Sequence, residues 1–253
     1  MQMSPALVAT AVLAALILAI WIGHQFRSLL PDRRLNEETK DTVKLTMGLI
    51  GTMAALLLGL LVSSAKASYD AERTQVTQMT AKIVFLNRVL NLYGPESKDT
   101  RRQLRASMED AIERLWPKDT NKAADITPNI EAGDSVYFSI QKLAPANEIQ
   151  QKLKVVAETT VAELAQLRAV LIAQAETSIS PPLLIVVVSW LFIIFASFSL
   201  LAPPNAIANI SLFISSLAVA GAIFLLLELD RPFDGLIRIP SREMAKATNQ
   251  ITS

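Results

Sequence analysis

Residues 45–65 read "LTMGLIGTMAALLLGLLVSSA", and residues 66–93 continue as "KASYDAERTQVTQMTAKIVFLNRVLNLY". The first stretch holds no Asp, Glu, Lys or Arg and is long enough to cross a bilayer as a helix. The second is polar, yet it places Tyr69, Val76, Ile83 and Leu90 at intervals of seven, with Met79, Leu86 and Tyr93 as a parallel series; Glu72 alone interrupts the pattern. Stepping back by sevens from Tyr69 reaches Val62, Ala55 and Gly48, so one face is expected to run from the apolar stretch into the polar one. The pattern predicts a single helix from about 45 to 92, reaching roughly 45 Å beyond the bilayer at 1.5 Å per residue. Gly94 and Pro95 end it, because Gly accepts positive φ and Pro cannot continue a helix.

The same charge map covers the rest of the chain. Charged residues are also absent from 1–26 and from 177–227, whereas 66–176 carries a balanced mixture of acids and bases. Hydrocarbon excludes unpaired charge, so these intervals predict four spans: Ala6–Ile22, Leu45–Val62, Leu183–Leu201 and Ile207–Leu227, the last two joined by "APPNAIAN". The expected organisation is a first membrane hairpin (1–64), a helical polar domain (65–180), a second hairpin (181–230) and a polar C-terminal tail (231–253). The first span is read as retained, since nothing basic precedes it and no small-residue cleavage site ends it before Arg27. The fold class is therefore all-α and integral to the membrane, with membrane lipid as its surroundings.

Composition narrows the chemistry. The chain has no Cys, which excludes disulfides and thiolate metal sites, and its single His, His24, cannot by itself form a zinc cluster or a nucleophilic triad. No catalytic residue, metal site or cofactor is expected, and the balanced polar domain offers no basic stripe for nucleic acid.

Within the polar domain, a second helix from about Glu96 to Trp116 places Leu104, Met108, Ile112 and Leu115 on one face. The segment "PKDTNKAADITPNIEAGD" (117–134) reads as a loop of turn formers, with Asp134 as the N-cap of a short helix "SVYFSIQKL". A last long helix runs from Glu148 to about Thr177, with Ile149, Leu153, Val156, Thr160, Leu164, Leu167 and Leu171 at helical spacing; Pro181 and Pro182 then break the chain. The two long helices are expected to pack antiparallel.

Two places carry functional signals. On a wheel of the second span, Gly48, Thr52, Ala55, Gly59, Ser63 and Lys66 share one side, opposed by Leu56, Leu57, Leu60 and Leu61. Small residues permit close helix packing in lipid; equally, such a face can line a water-filled path with Lys66 as a ring of like charge at its exit. The fourth span adds Asn205, Asn209, Ser211, Ser215 and Ser216, which interhelical hydrogen bonds explain, Asn209 and Ser216 lying one heptad apart. After it, "LELDRPFDGLIRIPSREM" gathers Glu228, Asp230, Arg231, Pro232, Phe233 and Asp234. Either this cluster ends the helix at the interface, or it docks on the polar domain with Phe233 as anchor and Glu228 or Asp234 as partner of a base such as Lys66.

The segments "LLGLLVSSAKASYDAER" (57–73), "YGPES" (93–97) and "LELDRPFDGLIRI" (227–239) together resemble the bacterial bestrophin-like domain family. The resemblance spans nearly the whole chain and extends more distantly to the bestrophins. It implies a homo-oligomer, a pentamer if the resemblance reaches assembly, with four membrane helices per subunit, a helical cytosolic domain between the second and third, and a pore lined by the second. Animal bestrophins clasp calcium with acidic residues after the fourth helix. Here Asp234 precedes Gly235 and no acidic run follows, so no calcium site is expected.

Basic residues flanking the spans point both ways. Arg27, Arg33, Arg34, Lys40 and Lys44 in the first connection outnumber Lys66 and Arg73, which favours placing that connection in the cytoplasm. Arg168 before the second hairpin, and Arg231, Arg238, Arg242 and Lys246 after it, favour a cytoplasmic polar domain, and the resemblance agrees. The reading is a multi-pass protein of the bacterial inner membrane: a homo-oligomeric channel for inorganic ions, with a non-conducting scaffold that recruits partners through its long helices as the alternative.

Overall fold

The structure is a computed structural model that describes residues 4–29, 37–117, 124–125, 130–175, 180–203 and 205–251. Arg33 and Arg34 of the orientation argument, Thr177 and most of the 117–134 segment lie outside these residues. All regular structure among the described residues is helical: α1 (Pro5–Leu29), α2 (Glu37–Tyr93), a 3-10 turn (Pro95–Ser97), α3 (Lys98–Leu115), α4 (Ile130–Gln141), α5 (Glu148–Ala175), α6 (Pro181–Leu201), α7 (Ala206–Leu229) and α8 (Arg242–Gln250). Four of these, α1, α2, α6 and α7, are long and apolar enough to cross a membrane. The chain folds into two compact units, one of residues 1–67 and 179–230, the other of 68–178 and 231–253.

In the first unit α1 packs along α6 and α7. Val12, Leu16, Ala19, Phe195 and Ile223 form its core. Lipid supplies no hydrophobic drive for this association, so close fit must supply it. Gly23 shows how close the fit is: a Cβ there would lie 2.3 Å from the carbonyl oxygen of Ala196 and 2.8 Å from Cβ of Ser199. Ser199, fully buried, donates to the carbonyl of Ile20 at 2.6 Å and lies 2.6 Å from Nδ1 of His24, so the lone histidine serves the α1–α6 contact. Arg27 donates to the carbonyls of Leu200 and Ala202, satisfying acceptors that the end of α6 leaves open. Pro181 and Pro182 do not merely stop the preceding chain; they occupy the first turn of α6, where Pro needs no N–H partner. Asn205 caps α7, its side chain accepting from the Ala208 amide at 2.8 Å. Asn209 is exposed whereas Ser216 is buried and donates to its own helix at Phe213, so the two polar groups do not share one environment.

The second helix starts earlier than its apolar run. Glu37–Lys40 (2.8 Å) and Asp41–Lys44 (3.0 Å) pairs one turn apart extend it N-terminally. Its buried face in this unit is Met47, Ala54, Leu61 and Ala65, packed on Ile194, Val187 and Leu226. Val62, Ala55 and Gly48, the continuation obtained by sevens, are exposed instead. The packed seam keeps the seven-residue step through Met47, Ala54 and Leu61, one residue out of register with the sevens counted back from Tyr69, because here it is set by Ile194, Val187 and Leu226. Leu61 likewise parts from Leu56 and Leu60: it is buried and they are not.

In the second unit the heptad positions Tyr69, Val76, Met79, Ile83, Leu86, Leu90 and Tyr93 are all buried, and Glu72 is buried with them. Gly94 takes φ 124°, a conformation other residues avoid, and releases the chain into Pro95. Helices α2 and α5 run antiparallel, pinned by Lys82–Glu163 at 2.6 Å and by Gln150 Nε2 donating to the Tyr93 carbonyl at 2.9 Å. The buried face of α5 is Ala157, Thr160, Val161 and Leu171, while Ile149 and Val156 of the expected stripe are exposed. Helix α4 begins at Ile130, so Asp134 lies within it rather than capping it, and the loop is shorter than its turn formers suggested. Gly133 belongs to α4 for a tertiary reason: the guanidinium of Arg168 sits 2.9 Å from where its Cβ would be.

Candidate functional site

The residues singled out on the second span all lie on α2. Gly48, Thr52, Ala55, Gly59, Ser63 and Lys66 are exposed, on the side of the helix away from Met47, Ala54, Leu61 and Ala65. Among the described residues nothing comes within 4 Å of a Cβ built at Gly48, Gly51 or Gly59. The glycines that could serve close packing therefore do not serve it within one chain, in contrast to Gly23. Beside them, Leu45, Leu49, Leu56 and Leu60 form a large apolar exposed strip suited to lipid or to another helix.

The post-membrane cluster divides at Asp230, which caps α7. Glu228 is buried in the last turn of that helix. The residues that follow fold into the second unit. Phe233, 3% exposed, stands edge-on to Trp116 with ring centroids 5.6 Å apart. Asp234 accepts from the backbone amide of Ala124 at 3.1 and 3.3 Å. The partner that Asp234 shows among the described residues is thus a main-chain donor. Gly235, at φ 88°, turns the chain, the Ile239 amide donates to the Pro232 carbonyl at 2.7 Å, and Trp116 Nε1 donates to the Ile239 carbonyl at 2.7 Å. The tail beyond is helix α8, which packs on α3 through Met244, Ala247 and Thr248, with Thr248 Oγ1 4.0 Å from Met108 Sδ and Arg101 reaching the Ile251 carbonyl.

Trp116, Ala124 and the apolar face of α8 were not legible as partners of the motif. The spacing Met244, Ala247, Thr248, Ile251 was the available signal, a short amphipathic period inside a segment that composition marks as polar. Among the described residues no group of three or more His, Asp or Glu side chains is placed to hold a metal.

The bestrophin-like domain matches residues 10–244. The chain belongs to the bestrophin-like domain family. Solved structures of a bacterial bestrophin homologue from Klebsiella pneumoniae share this bestrophin-like fold. One substituted form superposes with a TM-score of 0.71 at 17% identity, covering 99% of this chain and 96% of that one. A second gives 0.70 at 14% identity over 96% and 99%. The zinc-phased form gives 0.66 at 16% identity, covering 94% of each. No curated protein matches the sequence. At these identities the bestrophin-like likeness is one of fold, so the function must be argued from the chain's own residues.

Proposed function

We propose that this bestrophin-like protein is an oligomeric membrane channel for inorganic ions, its permeation path following the face of α2 that bears Gly48, Thr52, Ala55, Gly59, Ser63 and Lys66. The observation that carries this reading is the rotation of α2. Its small, faintly polar face points away from the chain's own α6 and α7, and the space over Gly48, Gly51 and Gly59 is open. Closed rotational symmetry would bring that one face from every subunit around a common axis, with Lys66 forming a ring of positive charge. The family resemblance favours five subunits, a polar unit on the cytoplasmic side and residence in the bacterial inner membrane. The basic residues of the first connection weigh less against this orientation than their number suggests. Arg27 is engaged at the end of α6, and Lys40 and Lys44 are paired to Glu37 and Asp41.

The test is conductance in planar bilayers. Lys66→Glu is expected to shift the reversal potential towards cation permeation, and Gly59→Leu to reduce conductance. Because the chain lacks cysteine, single cysteines at Thr52, Ala55 and Ser63 can be probed with charged thiol reagents without background labelling. A silent protein with unreactive cysteines at all three positions would remove the channel reading. The alternative, a non-conducting scaffold, draws on the exposed apolar residues of the second unit, Phe85, Leu92, Phe138 and Ile149, which offer a surface to partner proteins.

A further inference from the structure

The second unit contains a cavity of about 490 Å³ among α2, α3, α4, α5 and α8, within the roughly 300–1,000 Å³ typical of small-molecule sites. Its walls are mainly apolar, including Met79, Ile83, Leu164, Ala165 and Met244. One wall carries the half-buried guanidinium of Arg168. Buried arginines are ordinarily paired. Neighbouring Arg114 is: it lies 3.7 Å from Asp110 and 3.4 Å from Asp125. Among the described residues Arg168 makes no ion pair or hydrogen bond of its own. Burial, followed by repulsion from Arg114, lowers its pKa from the usual arginine value, with the charge of Asp110 opposing the shift. Gly133 completes the arrangement, since a side chain there would meet the Arg168 Nη1 at 2.9 Å. Helix α4 thus keeps a residue of poor helix propensity where the guanidinium rests.

We propose that this cavity binds a small amphipathic monocarboxylate, its apolar body among the methionines and aliphatic side chains and its carboxylate on the fork of Arg168. The planar guanidinium matches a carboxylate with two parallel hydrogen bonds. The acidic residues on the lining, Asp110, Asp125 and Asp134, oppose a second negative charge, so a dianion is disfavoured. A cavity of this size suits a free acid better than a two-chain phospholipid.

The experiment uses the full chain in nanodiscs, with empty nanodiscs as blank, and measures binding of 4-phenylbutyrate, its uncharged amide and phenyl phosphate by calorimetry. The carboxylate is expected to bind most tightly of the three. Arg168→Gln should weaken it by about tenfold or more, the worth of a charge-assisted pair. Gly133→Ala is the second variant: it favours helix α4 and pushes the guanidinium tip aside, so it should raise the melting temperature of the free protein while lowering affinity, a combination that a purely structural role would not give. Absence of binding to the wild type, equal binding of the amide, tighter binding of phenyl phosphate, or unchanged affinity in a folded Arg168→Gln or Gly133→Ala protein would each overturn the assignment.

Discussion

Single atoms decide several contacts in this chain. At Gly23 the carbonyl of Ala196 lies 2.3 Å from where a methyl would stand, and both sides of the clash are helix backbone. Gly23→Ala must therefore separate α1 from α6, stretching the Ser199–His24–Ile20 contacts as well; overpacking of this kind costs about 1–3 kcal/mol, readable as a lower melting temperature in detergent. Tyr93 presents the opposite case. Its hydroxyl is buried with no hydrogen-bond partner among the described residues, so Tyr93→Phe removes a desolvated polar atom while keeping the ring. The expected outcome is unchanged or raised stability, by up to about 1–2 kcal/mol, in contrast to the loss that deletion of a bonded hydroxyl brings. Neither residue stands out in the sequence. A glycine in an apolar helix and a tyrosine at a heptad position look ordinary until the neighbouring chain is in place.

At the scale of elements, α2 teaches where periodicity can be trusted. Leu90 and Leu92 are two residues apart on the same helix, yet one is 1% and the other 63% exposed. Leu90→Ala is expected to destabilise the second unit by roughly 2–5 kcal/mol and Leu92→Ala by less than about 0.5, measured by hydrogen exchange of α2 and α5 in the intact protein. The heptads from Tyr69 to Tyr93 announced that difference, because one set of neighbours covers the face throughout. The extension to Val62, Ala55 and Gly48 failed because the partners change to α6 and α7, which cover Leu61, Ala54 and Met47, one residue out of register. Helix α5 follows its expected stripe only in part: Thr160 and Leu171 are buried, whereas Ile149 and Val156 are exposed and Ala157 and Val161 are covered in addition. Spacing specifies that a stripe exists, and packing partners specify which stripe is used. For the same reason, the docking of Phe233 was legible only as a possibility, since Trp116 is more than a hundred residues away in sequence.

For the whole molecule, the charge map anticipated the four long apolar helices of the described residues, and the family could be read from three short segments. Assembly and conduction are matters of several copies, which intrachain contacts do not encode. Mass measurement in detergent is expected to give five subunits per particle. A monomer would remove the symmetric passage that the channel reading requires. Both compact units are also discontinuous: each takes one part from before Ile179 and another from after it.

That discontinuity sets a timetable for biosynthesis. Met108 on α3 waits for Thr248 on α8, a gap of 140 residues. At typical translation speeds this is on the order of ten seconds during which the apolar flank of α3 has been made and its cover has not. A nascent chain interrupted after α7 would carry α1, α2, α6 and α7 and still present that flank uncovered. Quality control should therefore recognise such a product by its water-facing half, and release of the segment after α7 should be the event that ends chaperone dependence.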